Sequence, residues 1–488
     1  MKTIVIGSGF ASLSAAAVLA KEGYNVTVIE KNSDLGGRAR QFQENGFLFD
    51  MGPSWYWMPD VFEKFFNIFN KSSSDYYQLL KLDPGFQMIF NNHESIKISA
   101  SFEDIKKVFE DIETGSSKAL EEFMQEAEFK YKFSMDKLIY NPGLSFFEFL
   151  NKGIFKNLFK LELFKSYKLH VAKKFKNPKI KALLEFPVLF LGTAPNDTPA
   201  LYSLMAYSGF KQGTYYPIGG FSKVIDGMVT LCKDLGVSFI KNETVQKIHI
   251  KNNLASSLST DKNDYKADIV VGGADYEHIE SNLLEKKYRN YSSEYWDKKT
   301  FSPSCLLFYL GVNKKIKKII HHNLFFDANI EQHIDDIYKQ QVWPKEPLFY
   351  VCCPSKTDPT VAPKNKENLF LLVPISPGSS DDEKTREYYF NLIIKRLEKY
   401  CGENILDFIE YKRSYCINDF IKDYNAYKGN AYGLANTLFQ TANLKPSIKN
   451  KKVSNIFYTG QLTVPGPGVP PSLISGQIVG ETIIKQFN

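Results

Sequence analysis

The stretch that decides the fold is residues 2–30, KTIVIGSGFASLSAAAVLAKEGYNVTVIE. Residues 3–6 are a continuous β-branched run, the pattern of a short parallel strand buried on both faces. Gly7-Ser8-Gly9-Phe10-Ala11-Ser12 follows, and residues 13–22 have helical character. Gly23-Tyr24 ends that helix, residues 25–29 form a second β-rich run, and Glu30 closes it. The order is a βαβ unit with a glycine turn at its first strand-to-helix junction. Gly7 permits the tight turn, and Gly9, without a side chain, lets a pyrophosphate approach the backbone. The helix N-terminus then offers free N–H groups and the positive end of its dipole to phosphate charge. Glu30 stands about 20 residues beyond the glycines, where a carboxylate accepts from ribose hydroxyls. Ser12 takes the place of the third glycine of this pattern and is small enough for close helix–strand packing. The expectation is a dinucleotide site.

Asp34-Leu35-Gly36-Gly37-Arg38-Ala39 sets a second glycine pair and an arginine just past the acid strand. A nicotinamide cofactor does not need them; the arrangement resembles the extension of FAD-binding flavoproteins of the amine oxidase superfamily. Phe49-Asp50-Met51-Gly52-Pro53-Ser54-Trp55 reads as a tight loop near the flavin. Residues 71–214 carry no further glycine fingerprint, are helical and aromatic, and look inserted. Tyr216-Pro217-Ile218-Gly219-Gly220-Phe221 then opens an amphipathic helix over 222–235, capped by Gly236. Strands are expected at 237–240, 245–250 and 267–271. At the end of the chain, residues 456–460 read as a strand running into a glycine. A loop over 461–471, stiffened by proline, leads to a helix from 472 to about 486.

Composition limits the function classes. The 488 residues suit two or three domains. The net charge of +7 comes almost wholly from lysine, with six arginines in the chain. Arginine is the residue that reads bases and grips phosphate bidentately, so no nucleic-acid partner is expected. The six cysteines form no C-x-x-C pair and read as reduced thiols of a cytoplasmic protein. The histidines show no metal-ligand spacing, and His321 and His322, beside a lysine run, are expected on an exposed face; no metal is expected. No run reaches the roughly 18 apolar residues of a membrane span, and the interrupted apolar stretch at 4–20 is not read as a signal peptide.

These residues, above all 458–473, resemble bacterial phytoene desaturases of the CrtI type over essentially the whole chain. The resemblance implies an α/β (α+β) architecture: a discontinuous Rossmann-like FAD-binding domain, a mixed-sheet substrate domain and a helical membrane-facing insertion. On this chain those parts fall at 1–70, 215–280 and 420–488 for FAD, 281–419 for substrate, and 71–214 for the insertion. It implies noncovalent FAD and desaturation of a linear C40 carotenoid, phytoene to lycopene. Cofactor contacts carried over are Gly7, Ser8, Gly9, Phe10 and Ala11 of the turn, Glu30 and Lys31, and Gly37 and Arg38. To these it adds Gly52, Pro53 and Ser54, then Val245, and Gly460, Gln461, Pro470 and Ser472. Gln461 departs from the acid that many related oxidases hold there. Cys416 and His333 are the last of their kinds, well before the C-terminal flavin loop, which favours noncovalent cofactor.

No side chain accepts hydride, so the flavin must; the sequence picks out no proton acceptor and hence no catalytic residue. Trp55, Tyr56 and Trp57 are candidates for the wall of a substrate tunnel. Residues 151–181, with ten lysines, one acid and interleaved Ile154, Phe155, Leu158, Phe159, Leu163, Phe164 and Tyr167, suit a basic amphipathic segment lying on a membrane. The expected location is cytoplasmic, peripherally bound to the inner face of the cell membrane, with quinone or oxygen as terminal acceptor. The alternatives are a later-acting carotenoid desaturase on a hydroxylated or cyclised substrate, an amine oxidase-like flavoenzyme, and a non-catalytic prenyl-binding escort protein.

Overall fold

The computed structural model describes residues 1–91, 94–145, 148, 157, 160–189 and 192–488. The N-terminal unit forms as expected. Lys2–Ile6 is the central strand of a five-stranded parallel sheet, flanked by Asn25–Ile29 and Ile269–Gly272, with Ser238–Ile240 and Ile456–Tyr458 outside them. Val5, Val28 and Val271 are wholly buried on the face covered by helices, while Ile4, Ile6, Ile29 and Val270 on the other face pack against Val245, Ile248, Ala255 and Leu258 of a three-stranded antiparallel sheet, Val245–Lys251, Leu254–Thr260 and Asp264–Lys266. The first helix is Phe10–Lys21, three residues ahead of the expected start, because Gly9 itself is the N-cap. The last helix, Val469–Phe487, also begins early and takes Pro470 and Pro471 into its first turn. A proline there forfeits no intrahelical bond, since first-turn N–H groups have no partner to lose. The two helices pack along each other, and the Ser14 hydroxyl donates to Leu473 O at 2.8 Å.

A second sheet of seven strands runs in the order Ile409–Tyr415, Ser304–Val312, Glu367–Ile375, Phe349–Cys352, His322–Phe325, Phe86–Ile89, Ser95–Ile98. The pair formed by Asn323 to Phe325 with Gln87 to Ile89 is parallel and the other pairings are antiparallel. Its alternation divides two cores. Leu306, Phe308 and Leu310 face the helix Glu383–Cys401 through Phe390, Ile394 and Leu397. Cys305, Leu307 and Tyr309 turn the other way and join Tyr350 and Phe370 in the main core. The region 71–214, read as helical, therefore also supplies the last two strands of this sheet, Ser95–Ile98 forming its edge; each is four residues long, too short for its alternation to stand out. Its described helices include Phe102–Ile112, Ser116–Lys137, Tyr167–Lys174 and Pro178–Leu189. Within the basic amphipathic stretch, residues 151–156, 158 and 159 lie outside the described residues. Among those described, no helix is long and apolar enough to cross a membrane.

Candidate functional site

Both sheets contribute to the wall of one cavity of about 440 Å³. The structure brings every sequence-predicted contact residue to it: Gly7 to Ala11, Glu30, Lys31, Gly37, Arg38, Gly52, Pro53, Ser54, Val245, Gly460, Gln461, Pro470 and Ser472 all line it. Its two ends differ in chemistry.

One end is polar. The Gly7 N–H donates to Ile29 O at 2.8 Å, which ties the turn to the second strand. The buried Glu30 carboxylate accepts from the Ser8 N–H at 3.0 Å and the Ser8 hydroxyl at 2.7 Å. Its other oxygen accepts from the Asn32 N–H and side-chain amide, both at 2.9 Å. Glu30 thus braces the glycine turn and presents a carboxylate at the cavity wall. The Lys31 ammonium donates to Lys422 O at 2.6 Å and Asn425 Oδ1 at 3.2 Å, so it anchors a distant segment while lining the site. Arg38 donates from Nη2 to Asn430 O at 3.2 Å, and its buried Nε has no partner. Burial raises Asp275 to about 6, against the opposing pull of Arg38. Sequence reasoning missed Asn430, whose side-chain oxygen accepts from Gln461 Nε2 at 3.1 Å and from the Gly433 N–H at 2.9 Å. It couples the Arg38 loop to the C-terminal glycine loop from about thirty residues upstream in the chain, and no local pattern marks it.

The other end is apolar. Trp55, Trp57, Phe186, Leu324, Tyr338, Tyr350, Phe370 and Tyr432 are among its walls. Trp55 and Trp57 stand where a tunnel wall was expected; Tyr56 does not, because the alternation of the extended loop turns it into the core, its hydroxyl 2.7 Å from that of Tyr77. His321 and His322, expected on an exposed face, are buried. The strand carrying His322 is internal to the seven-stranded sheet, with Phe349–Cys352 on one side and Phe86–Ile89 on the other, so neither edge nor face reaches solvent there. Among the described residues, the charged side chains on the cavity wall are Glu30, Lys31, Arg38, Glu243, Asp275 and Asp423. All six cluster around the polar end: Glu243 N–H bonds Glu30 O, and Asp423 pairs with Arg40.

The donor set fits a dinucleotide. A Cβ built on Gly9 meets no atom within 4 Å, which leaves the backbone open for a pyrophosphate at the helix N-terminus. The unpartnered Arg38 Nε offers a charged donor beside it. Beyond these, Pro467, Gly468, Pro470 and Pro471 present a rigid wall of the kind a flat ring needs. Cys305 and His333 also line the cavity, so chain position alone does not exclude a covalent link. Burial pushes the Cys305 thiol well above its ordinary value, which keeps it protonated and a poor nucleophile.

Residues 10–484 match the family of flavin containing amine oxidoreductases. A carotenoid 3,4-desaturase of Haloarcula japonica is 38% identical over 484 residues, covering 99% of this chain and 98% of that protein. A zeta-carotene-forming phytoene desaturase of Myxococcus xanthus is 28% identical over 491 residues, covering 99% and 94%. Among solved structures, a putrescine oxidase with putrescine bound superposes with a TM-score of 0.64 at 14% identity, covering 99% of both chains. That last likeness is one of fold.

Proposed function

Belonging to the flavin containing amine oxidoreductases and, within them, to the CrtI-type carotenoid desaturases, this chain is an FAD-dependent oxidoreductase, and we propose that it desaturates a long linear carotenoid. The observation that carries the reading is the cavity itself: a dinucleotide site continuous with an apolar, aromatic compartment whose described walls hold no charged side chain. A hydrocarbon needs no counter-charge, whereas an ammonium substrate buried in such a place is expensive unless paired. The intact Glu30 and Arg38 arrangement argues against a non-catalytic escort.

When bound, FAD supplies a two-electron hydride acceptor. The chain's own residues do the rest. The helix N-terminus at Gly9 and Arg38 bind the pyrophosphate, and Glu30 holds the ribose end. Trp55, Trp57 and Phe186 confine an extended polyene and exclude water from it. FAD is held noncovalently, so denaturation followed by filtration releases it. The full-length 38% likeness favours desaturation at the 3,4 position of a linear carotenoid, with phytoene to lycopene as the second reading. Co-expression in hosts accumulating phytoene or lycopene tests this. New double bonds in lycopene support the first reading, conversion of phytoene supports the second, and unchanged carotenoids in both hosts refute the assignment.

The substrate is dissolved in lipid, so the protein docks on the inner face of the cell membrane, and a membrane quinone or oxygen reoxidises the flavin. The described surface offers exposed Phe164, Leu169, Phe439 and Leu444. The 199–202 turn joins the two segments: the Ala200 N–H donates to Lys165 O at 2.7 Å, and the Tyr202 hydroxyl lies 3.3 Å from that of Thr441. Lys165, Lys168 and Lys174 pair with Glu162, Glu331 and Glu126, so the apolar tips are the sharper probe. Phe164→Asp with Phe439→Asp abolishes flotation with anionic liposomes; unchanged flotation removes this surface from the docking role.

A further inference from the structure

Desaturation releases a proton as well as a hydride, and at the apolar end of the cavity the structure holds a group able to take it. Tyr350, on the strand Phe349–Cys352, lines the cavity. Its hydroxyl lies 3.0 Å from the Ser54 hydroxyl and 2.6 Å from His322 Nδ1. Ser54 belongs to the Gly52-Pro53-Ser54 loop that reaches toward the nucleotide end of the same cavity. His322 pairs with Cys352 on the neighbouring strand, and Leu324 with Tyr350. Tyr350 and His322 are therefore diagonal neighbours, within reach for long aromatic side chains. His322 is wholly buried and its ring lies flat against Trp55, centroids 4.2 Å apart at 12°. Its Nε2 is buried without a partner. With Nδ1 committed to the Tyr350 hydroxyl, the ring that fits is the neutral Nε2–H tautomer. A phenol at the substrate face, backed by a neutral imidazole held by stacking, is the geometry of a proton relay.

We propose that Tyr350 and His322 form the proton-accepting pair of the desaturation, Tyr350 touching the substrate and His322 standing behind it. The inference rests on the proposed function. A carbon–carbon single bond of the substrate is oxidised by two electrons. One hydrogen leaves with its electron pair to the oxidised flavin of this family. The hydrogen on the adjacent carbon leaves as a proton to Tyr350 Oη, and the electron pair of that C–H bond becomes the new π bond. The original Tyr350 hydroxyl proton passes to His322 Nδ1, so the phenol is restored and the imidazole becomes imidazolium. Burial, reinforced by the neighbouring His321, keeps His322 well below its ordinary basicity. The ring is therefore neutral and ready before each turnover, and once the product leaves the proton returns from Nδ1 through Tyr350 Oη, which lines the cavity, to water entering there. Cys352 Sγ, 3.8 Å from His322 Nδ1, is the other titratable group beside that nitrogen, and burial pushes its thiol up to about 12.

The test uses the full-length FAD-loaded protein. In His322→Asn the amide oxygen stands where Nδ1 stood, so the Tyr350 bond survives but the proton has nowhere to go. Tyr350→Phe and His322→Asn should each slow single-turnover product formation about 10²–10⁴-fold, the range of general base catalysis, with bound FAD and carotenoid affinity unchanged. Independently of turnover, nitrogen-15 spectra of the histidine-labelled chain should show a neutral Nε2–H His322 whose Nδ1 resonance moves in Tyr350→Phe. Wild-type turnover by His322→Asn reduces the ring to packing and overturns the proposal. So does an Nδ1–H tautomer, or a bound metal ion that is lost with His322→Asn, which would make His321, His322 and Cys352 a metal site instead. A wild type inactive on every linear carotenoid removes the proposed function and this pair with it; an active wild type with an equally active His322→Asn removes the pair alone.

Discussion

Gly9→Ala separates the fold from the cofactor site. Gly9 has φ −72° and ψ 175°, a conformation open to any L-residue, and a Cβ there meets no atom within 4 Å. The folded chain accepts alanine without strain; the gain of about 0.4–1 kcal/mol from the stiffer unfolded chain is offset by alanine being a poorer N-cap than glycine at this helix start, so the stability of the cofactor-free chain stays within about 1 kcal/mol of the wild type. The methyl group enters the space where a pyrophosphate approaches the helix N-terminus. Displacing the phosphate from one or two charge-assisted hydrogen bonds, each about 1.5–3 kcal/mol, costs about 1.5–6 kcal/mol of binding. At about 1.4 kcal/mol per decade, FAD affinity falls about 10- to 10⁴-fold. Gly7→Ala is the contrast: with φ +90° and a Cβ 3.4 Å from Ala274 N, it places a side chain in a strained backbone region costing about 1–3 kcal/mol. The assay is FAD titration by visible absorbance together with thermal unfolding of the cofactor-free chains. A Gly9→Ala chain that binds FAD like the wild type, or whose cofactor-free form melts well below it, contradicts this role for Gly9.

Glu30→Ala removes the brace on Ser8 and Asn32 and lowers FAD affinity by about 1.5–3 kcal/mol; unaltered affinity by titration calorimetry contradicts its role. Burial works against the Glu162 carboxylate, but hydrogen bonds from Lys130 and Lys165 outweigh it and bring it down to about 2, while burial and then Lys130 lower His170 to about 4. Both folded values lie below the unfolded ones, so the stability these groups contribute is present above about pH 6.5 for His170 and about 4.5 for Glu162. It is lost as pH falls through about 4 and about 2. The Tm-against-pH curve of Glu162→Gln, His170→Phe should be flatter than that of the wild type over this range, and parallel curves contradict the linkage. Burial, with Lys299 close by, lowers Lys445 to about 7, and its Nζ has no hydrogen-bond partner. The cofactor-free wild type therefore gains stability as pH rises from about 7 toward the ordinary lysine value of about 10.4, and Lys445→Met, stable throughout, should not; a gain of equal size in both refutes the assignment.

The nucleotide half was legible because its signals are local. Each strand of the parallel sheet is a short apolar run beside a glycine, and Gly7, Gly9 and Glu30 keep fixed spacings within one βαβ unit. The seven-stranded sheet was not, because it joins residues 86–98 to strands beyond 300 through pairings that no spacing encodes. The same limit hid the substrate end. Tyr350, His322 and Ser54 meet from three distant segments, and a lysine-rich neighbourhood makes His321 and His322 read as surface. Asn430 lacks any periodic or motif context, yet it links Arg38 to Gln461. Trp55 and Tyr56 were inseparable in sequence, since only the direction of the loop decides which of them faces the cavity.

If this cavity passes electrons from a linear carotenoid to FAD, the carotenoid alone must reduce the bound flavin. This is tested most directly by mixing the FAD-loaded protein anaerobically with liposomes containing a single linear carotenoid and following the flavin absorbance. About one flavin should bleach per double bond gained, since each desaturation carries one hydride, with the product identified by chromatography and no bleaching by putrescine. A flavin that stays oxidised with every linear carotenoid, yet bleaches with the amine, contradicts this electron transfer.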